Sequence, residues 1–281
     1  MPTVLSASDI LPLTCTREGT CCHGKAVWLN PWELACLAAA RLMPADEFRD
    51  RFTDEGIRLK FAAGPAGACS QYQPDSGCLA HPGRPLACRL YPLGRERRGT
   101  TVRYVHDGKR FPCLDACPKV VDLPRLAVGD YLRGQQTGAG EGAQDAYLEM
   151  AQDLAEGAFV VLFDSGLAKV RGAEVLRGWE RALSADATKR ANLIGGEWLD
   201  RLVVPQLAAD LSDPAAWIAA HRESFQDAAQ VAFGGLRTPD TLAEASIRFL
   251  TLALHLLRGI GGDPAEPGRR WLHAARERLA A

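Results

Sequence analysis

Several absences frame this 281-residue chain. No uncharged apolar run reaches the roughly 18 residues of a membrane-spanning helix. Residues 1–14 lack a basic stretch followed by an apolar one, so no secretory signal is read there. A cytoplasmic protein with no membrane partner is therefore expected. Excess charge of one sign is missing too: 33 basic residues face 34 acidic ones. That balance argues against a nucleic-acid coat or a polybasic membrane anchor. Cysteine is absent from the last 164 residues, because all nine cysteines lie between Cys15 and Cys117. An odd number of thiols in a reducing compartment does not make a disulfide framework and points instead to metal binding or redox chemistry.

The cysteine spacing is unusual. Cys15 precedes the vicinal pair Cys21-Cys22, then come Cys69, Cys78 and Cys88, and Cys113 and Cys117 close the series. Cys36 stands apart among Leu34, Ala35 and Leu37 and is read as a core thiol. The eight others are the candidate metal ligands: Cys15, Cys21, Cys22, Cys69, Cys78, Cys88, Cys113 and Cys117. Thiolates are soft donors, and four of them hold zinc or an iron–sulfur cluster. Structural zinc commonly uses Cys-x2-Cys pairs, which this chain lacks; the spacing leans toward an iron–sulfur centre and leaves zinc open. His23, His81 and His106 lie in the same half and read as residues around the metal rather than on it. Arg17, Lys25, Arg84, Arg89 and Arg95 surround the cysteines, either offsetting thiolate charge or simply solvated.

The fold expected is mainly α: a loop-rich, metal-organised module over residues 1–121 with a few short strands, followed by a helical region over 122–281. Asn30-Pro31-Trp32-Glu33 predicts a capped helix start with a helix running to about Leu42. A strand is read over Ile57–Phe61 and another over Thr100–Val105. From Ala62 to Pro92, glycine and proline are dense and apolar residues sparse, so a metal is expected to supply the cross-linking. Helices are expected over Val128–Gln136, Ala143–Leu162, Ala173–Leu183, Gly195–Leu211, Asp213–Phe233, Pro239–Arg258 and Pro264–Leu279. Phe159–Phe163 also fits a buried strand. Gln135–Gly142 reads as a linker or mobile loop. The helical region is expected to fold around its own apolar core without the metal.

Three segments resemble the YkgJ-type cysteine cluster family, whose members are described as zinc- or iron-chelating. Cys15-Thr16-Arg17-Glu18-Gly19-Thr20-Cys21-Cys22 is similar to the family's Cys-x2-Cys-x2-Cys-Cys opening, with Glu18 where the family often has its second cysteine. Leu29-Asn30-Pro31-Trp32-Glu33 is similar to the helix start that follows. Cys78-Leu79-Ala80-His81-Pro82-Gly83-Arg84-Pro85-Leu86-Ala87-Cys88-Arg89-Leu90-Tyr91-Pro92 resembles the family's Arg-Pro-x2-Cys-Arg-x-Tyr/Phe-Pro signature. The resemblance spans about residues 10–120. It also brings in the flagellin lysine-N-methylases, which carry the same module, and with them an enzyme that methylates protein lysines with S-adenosylmethionine and holds a 4Fe-4S cluster. Against that alternative, no glycine-rich turn follows a convincing strand. A metallochaperone or partner-binding adaptor is the remaining class, its helices offering a docking surface to a protein partner. Catalytic residues are not identified.

Overall fold

The computed structural model describes residues 3–11, 22–64, 67–106 and 126–280. Short strands and loops form the N-terminal part, and long helices form the rest, a mainly α protein.

The first helix, α1 (Pro31–Ala40), starts where the capping residues predict it. The Asn30 side chain accepts from the Glu33 N–H at 2.9 Å, and the Glu33 carboxylate accepts from the Asn30 N–H at 3.1 Å. Helix α2 (Ala45–Phe52) follows, and Phe48 is fully buried. Strands β3 (Thr53–Asp54) and β4 (Arg58–Leu59) make a small hairpin, with a further bridge at Phe61. Strands β5 (Tyr72–Gln73) and β6 (Gly77–Cys78) make another. A one-turn helix, α3 (Leu86–Leu90), carries Cys88. Strands β1 (Thr3–Leu5), β8 (Thr101–His106) and β7 (Gly94–Arg98) form an antiparallel sheet in that order, with the β7–β8 turn at Gly99. Strands β2 (Ile10–Leu11) and β9 (Leu126–Ala127) pair separately.

The helical part contains α4 (Val128–Gly134), α5 (Thr137–Phe163), α6 (Leu167–Ser184), α7 (Ala187–Ile194), α8 (Gly196–Val203), α9 (Pro214–Phe233), α10 (Pro239–Gly259) and α11 (Ala265–Ala280). Helix α10 is its centre and packs against α5 and α6. Every residue from Leu250 to Leu257 is buried, so this helix is surrounded on all sides.

Several sequence expectations change here. Gln135–Gly142 is not a linker: after Gln136 in a left-handed conformation, the chain enters α5 at once. The small residues serve packing. A Cβ on Gly140 would stand 3.1 Å from the Leu86 Cβ, so glycine lets α5 approach the Cys88 helix. Phe159–Phe163 is the last turn of α5, not a strand. The helix expected over Gly195–Leu211 ends at Val203, where Pro205 denies the next turn its N–H. An additional helix, α7, precedes it.

The boundary expected near residue 121 lies outside the described residues. One apolar cluster nevertheless runs from Leu29, Leu34, Phe48 and Ile57 to Tyr147, Trp179 and Leu254. Polar contacts cross at the same place: Trp32 Nε1 donates to the Leu211 carbonyl at 3.1 Å. Beside it lies a fully buried histidine. His221 Nε2 lies 3.0 Å from the Arg201 carbonyl, which can only accept, so Nε2 carries the proton. Nδ1 then accepts from the Tyr147 hydroxyl at 2.9 Å.

Burial lowers the His221 imidazole from 6.5 to about 4, opposed by its bond to the Arg201 carbonyl. A base held below its unfolded value stabilises the fold fully above that value, and the contribution is lost as pH falls from about 6.5 toward 4. His221→Gln should therefore flatten the pH dependence of urea unfolding in that window by about one proton; an unchanged slope would refute this. Gly83 provides a second test. A Cβ there would fall inside contact distance of the Cys36 carbonyl on α1. Gly83→Ala is expected to lower the unfolding free energy by about 1–3 kcal/mol, measured at constant pH.

Candidate metal centre

Three of the candidate ligands lie on neighbouring segments. The Cys69 N–H donates to the Cys22 carbonyl at 2.7 Å, and the Gly24 N–H donates to the Gly67 carbonyl at 2.9 Å. Cys69 is also bridged to Phe61. The Tyr72 N–H donates to the Cys69 carbonyl, and Tyr72 is paired with Cys78 across the β5–β6 hairpin. The tight turn of that hairpin uses left-handed backbone at Asp75 and Gly77. Backbone hydrogen bonds thus place Cys22, Cys69 and Cys78 together although 46 residues separate the first two.

Cys88 comes from the opposite side, on α3. Five residues make too short a helix to stand alone, and its neighbours hold it. Pro85 leads into the first turn, and the Leu86 N–H donates to Glu33 Oε1 at 2.6 Å. Arg89 donates to three backbone carbonyls, those of Arg84 at 2.9 Å, Gln135 at 3.0 Å and Pro82 at 3.0 Å. Arg84 is bonded to the His81 ring and to the Gln135 side chain. The basic residues of the signature therefore brace the loop, and neither is simply solvated.

Cys22, Cys69, Cys78 and Cys88 line one cavity of about 160 Å³. Its apolar wall includes Val27, Leu37, Leu59 and Phe61, and its polar wall Lys25, Gln71, His81, Arg84 and Tyr91. The Lys25 ammonium sits 4.7 Å from the centre of the Tyr91 ring. The donor set fits a thiophilic metal: four soft donors border one space, and Lys25 and Arg84 bring basic side chains to its lining. Among the described residues, no three His, Cys, Asp or Glu side chains are gathered closely enough to hold a single ion. Cys15, Cys21, Cys113 and Cys117, together with Glu18 and Arg17, lie outside the described residues.

Cys36 lines a different cleft, of about 370 Å³, together with Trp32, Glu33 and Arg89. It is half-buried rather than fully enclosed. Burial, reinforced by the nearby Glu33, pushes its thiol up to about 12, so it is a thiol and not a thiolate at neutral pH. His23 packs its ring edge-on against Tyr72, and His106 ends β8. Arg95 is paired with Asp145 on α5, as is Arg97. A wider cleft, about 1000 Å³ between the Trp28 and Arg49–Lys60 region and helices α7, α8 and α11, has no cysteine in its lining. Two of its arginines are already ion-paired, Arg49 with Asp50 and Asp200 and Arg58 with Asp54.

Sequence reasoning located the thiols but missed what holds them. Glu33 is legible as a cap; its bond to Leu86, 53 residues away, is not. Gln135 has no sequence signal at all, yet it receives both Arg84 and Arg89.

No helix among the described residues is long and apolar enough to cross a membrane. No curated protein and no solved structure matches the chain. A family model does match, over residues 14–105: CxxCxxCC, described as "Putative zinc- or iron-chelating domain". That span includes six of the eight candidate thiols and every described residue of the cysteine-lined cavity except Gln135. Over residues 14–105 the chain is thus similar to the zinc- or iron-chelating cysteine cluster family that its sequence motifs resemble.

Proposed function

We propose that the chain is a metalloprotein whose N-terminal module, residues 1–121, holds an iron–sulfur cluster, and that the helical region, 122–281, is its scaffold. The observation that carries this reading is the single cavity bordered by Cys22, Cys69, Cys78 and Cys88. These thiols, with Cys15, Cys21, Cys113 and Cys117, are the proposed ligand set. One feature favours a cluster over zinc: the chain has no Cys-x2-Cys pair.

When bound, a cluster of this kind supplies one-electron transfer at a potential set by burial and by hydrogen bonds to its sulfurs. The chain's own residues do the rest. Lys25 and Arg84 place positive charge beside the thiolates, and Val27, Leu37, Leu59 and Phe61 keep water from that side of the cavity.

Anaerobic purification followed by metal and acid-labile sulfide analysis tests the reading. Iron with about equal sulfide and visible absorbance is expected; zinc without sulfide would replace the cluster by a structural zinc site. Cys88→Ser should lower metal content, whereas Cys36→Ser should leave it intact. Full metal in the Cys88 variant would remove that residue from the ligand set. Calorimetric binding of S-adenosylmethionine by the metal-loaded chain would shift the reading to a protein-lysine methylase.

A further inference from the structure

One group in the cysteine module is not a candidate ligand yet reaches the helix that carries Cys88. Glu33 sits at the third position of α1 and is 5% exposed. Its two carboxylate oxygens serve different elements. Oε2 accepts from the Asn30 N–H at 3.1 Å and completes the cap of α1. Oε1 accepts from the Leu86 N–H at 2.6 Å, the first residue of α3 and two positions before Cys88. A bond of this length lies at the short end for a backbone N–H donor. A helix cap alone does not require burial, since capping carboxylates commonly stand at the surface. Here the side chain is enclosed, facing Cys36, Arg89 and Trp32 along one cleft.

From this geometry we infer that Glu33 is a positioning residue for the metal site, fixing Cys88 against α1 so that its thiol is presented to the cavity without the metal having to order the loop. The inference rests on the metal reading above and adds a residue that touches no metal. Arg89 secures the far end of the same helix through its three carbonyls. Gly140 lets α5 close the remaining side against Leu86. Glu33 differs from both because its one carboxylate joins two helix starts, so losing it frees the thiol-bearing helix directly.

The test uses the full chain as purified anaerobically with its native metal, and follows metal loss to EDTA and the thiolate-to-metal absorption. Four proteins are compared: wild type, Glu33→Ala, Glu33→Gln and Asn30→Ala. Asn30→Ala weakens the same α1 cap by removing the bond to the Glu33 N–H, but leaves Leu86 held. The expected result is metal retention about tenfold weaker in Glu33→Ala, the scale seen for residues that orient a ligand. Glu33→Gln, whose amide oxygen satisfies only one of the two N–H groups, should fall between, with an altered absorption band, and it serves as the variant if Glu33→Ala does not fold. Asn30→Ala should lose thermal stability yet keep its metal and spectrum. Equal metal loss in Asn30→Ala and Glu33→Gln would reduce Glu33 to a helix cap and overturn the inference. Unchanged metal and spectrum in both Glu33 variants would do the same. A wild-type chain that carries no metal would overturn the metal reading itself, and the inference with it.

Discussion

A buried carboxylate with two backbone partners is the contact on which the cysteine module leans. The segment from Ala62 to Pro92 is too poor in apolar side chains to bury much surface, and its helix, α3, is too short to persist alone. It acquires a fixed position by borrowing one from α1, whose Leu34, Leu37 and Ala38 are locked into the apolar core. Burial raises the Glu33 carboxyl to about 7, while the Leu86 and Asn30 N–H groups and the Arg89 charge pull it down. Deprotonation is therefore costly, and the hydrogen bonds to the ionised form offset only part of that cost. For stability the sign follows: a carboxyl raised above its unfolded value of 4.5 favours the fold most below that pH, and the contribution is lost as pH rises through about 7. His221 acts in the opposite sense over an overlapping range.

Helix α1 also explains how the two halves depend on each other. One face of it closes the cysteine-lined cavity through Leu37, another opens on the cleft of Cys36 and Glu33, and Trp32 bonds to the Leu211 carbonyl. Burial holds the Tyr147 hydroxyl well above its ordinary range, so it remains a proton donor, and His221, kept neutral, remains its acceptor. The helical region thus fixes the helix that in turn fixes Cys88. The glycines of residues 138–142, which suggest flexibility when read as a string, make close approach possible at Gly140 instead.

What was legible in the sequence shares one property: it depends on residues near one another in the chain. The capping box at Asn30 and Glu33 is a four-residue pattern, and α1 begins there. Thr238-Pro239 and Asp213-Pro214 place the starts of α10 and α9 for the same reason. The hairpin at Gly99 is a local turn. Errors arose where tertiary contact overrules local composition. Gly138, Gly140 and Gly142 are weak helix formers, yet they lie in α5, where Ala143, Tyr147 and Met150 are buried. The helix expected beyond Val203 is a different case: Pro205, a local breaker, stands inside the expected span, and the helix ends before it.

The site shows the same division more sharply. Cysteine type and clustering are written in the chain, because thiolate chemistry requires the residue itself. The bracing is not, because a carbonyl acceptor has no residue identity: Arg89 binds the carbonyls of Pro82, Arg84 and Gln135, and any residues there would serve equally. Gln135 does have a side-chain role, as acceptor from Arg84, but a glutamine before a glycine-rich stretch carries no pattern to mark it. The Arg-Pro-x2-Cys-Arg signature can now be read in physical terms. Its first arginine reaches His81 and Gln135 at the cavity wall, its proline opens the one-turn helix, its cysteine faces the cavity, and its second arginine ties both ends of the loop to the backbone. Three of these four residues work to hold the fourth, and a module built from loops needs that proportion because each thiol must be fixed by hydrogen bonds where a larger domain would use apolar packing.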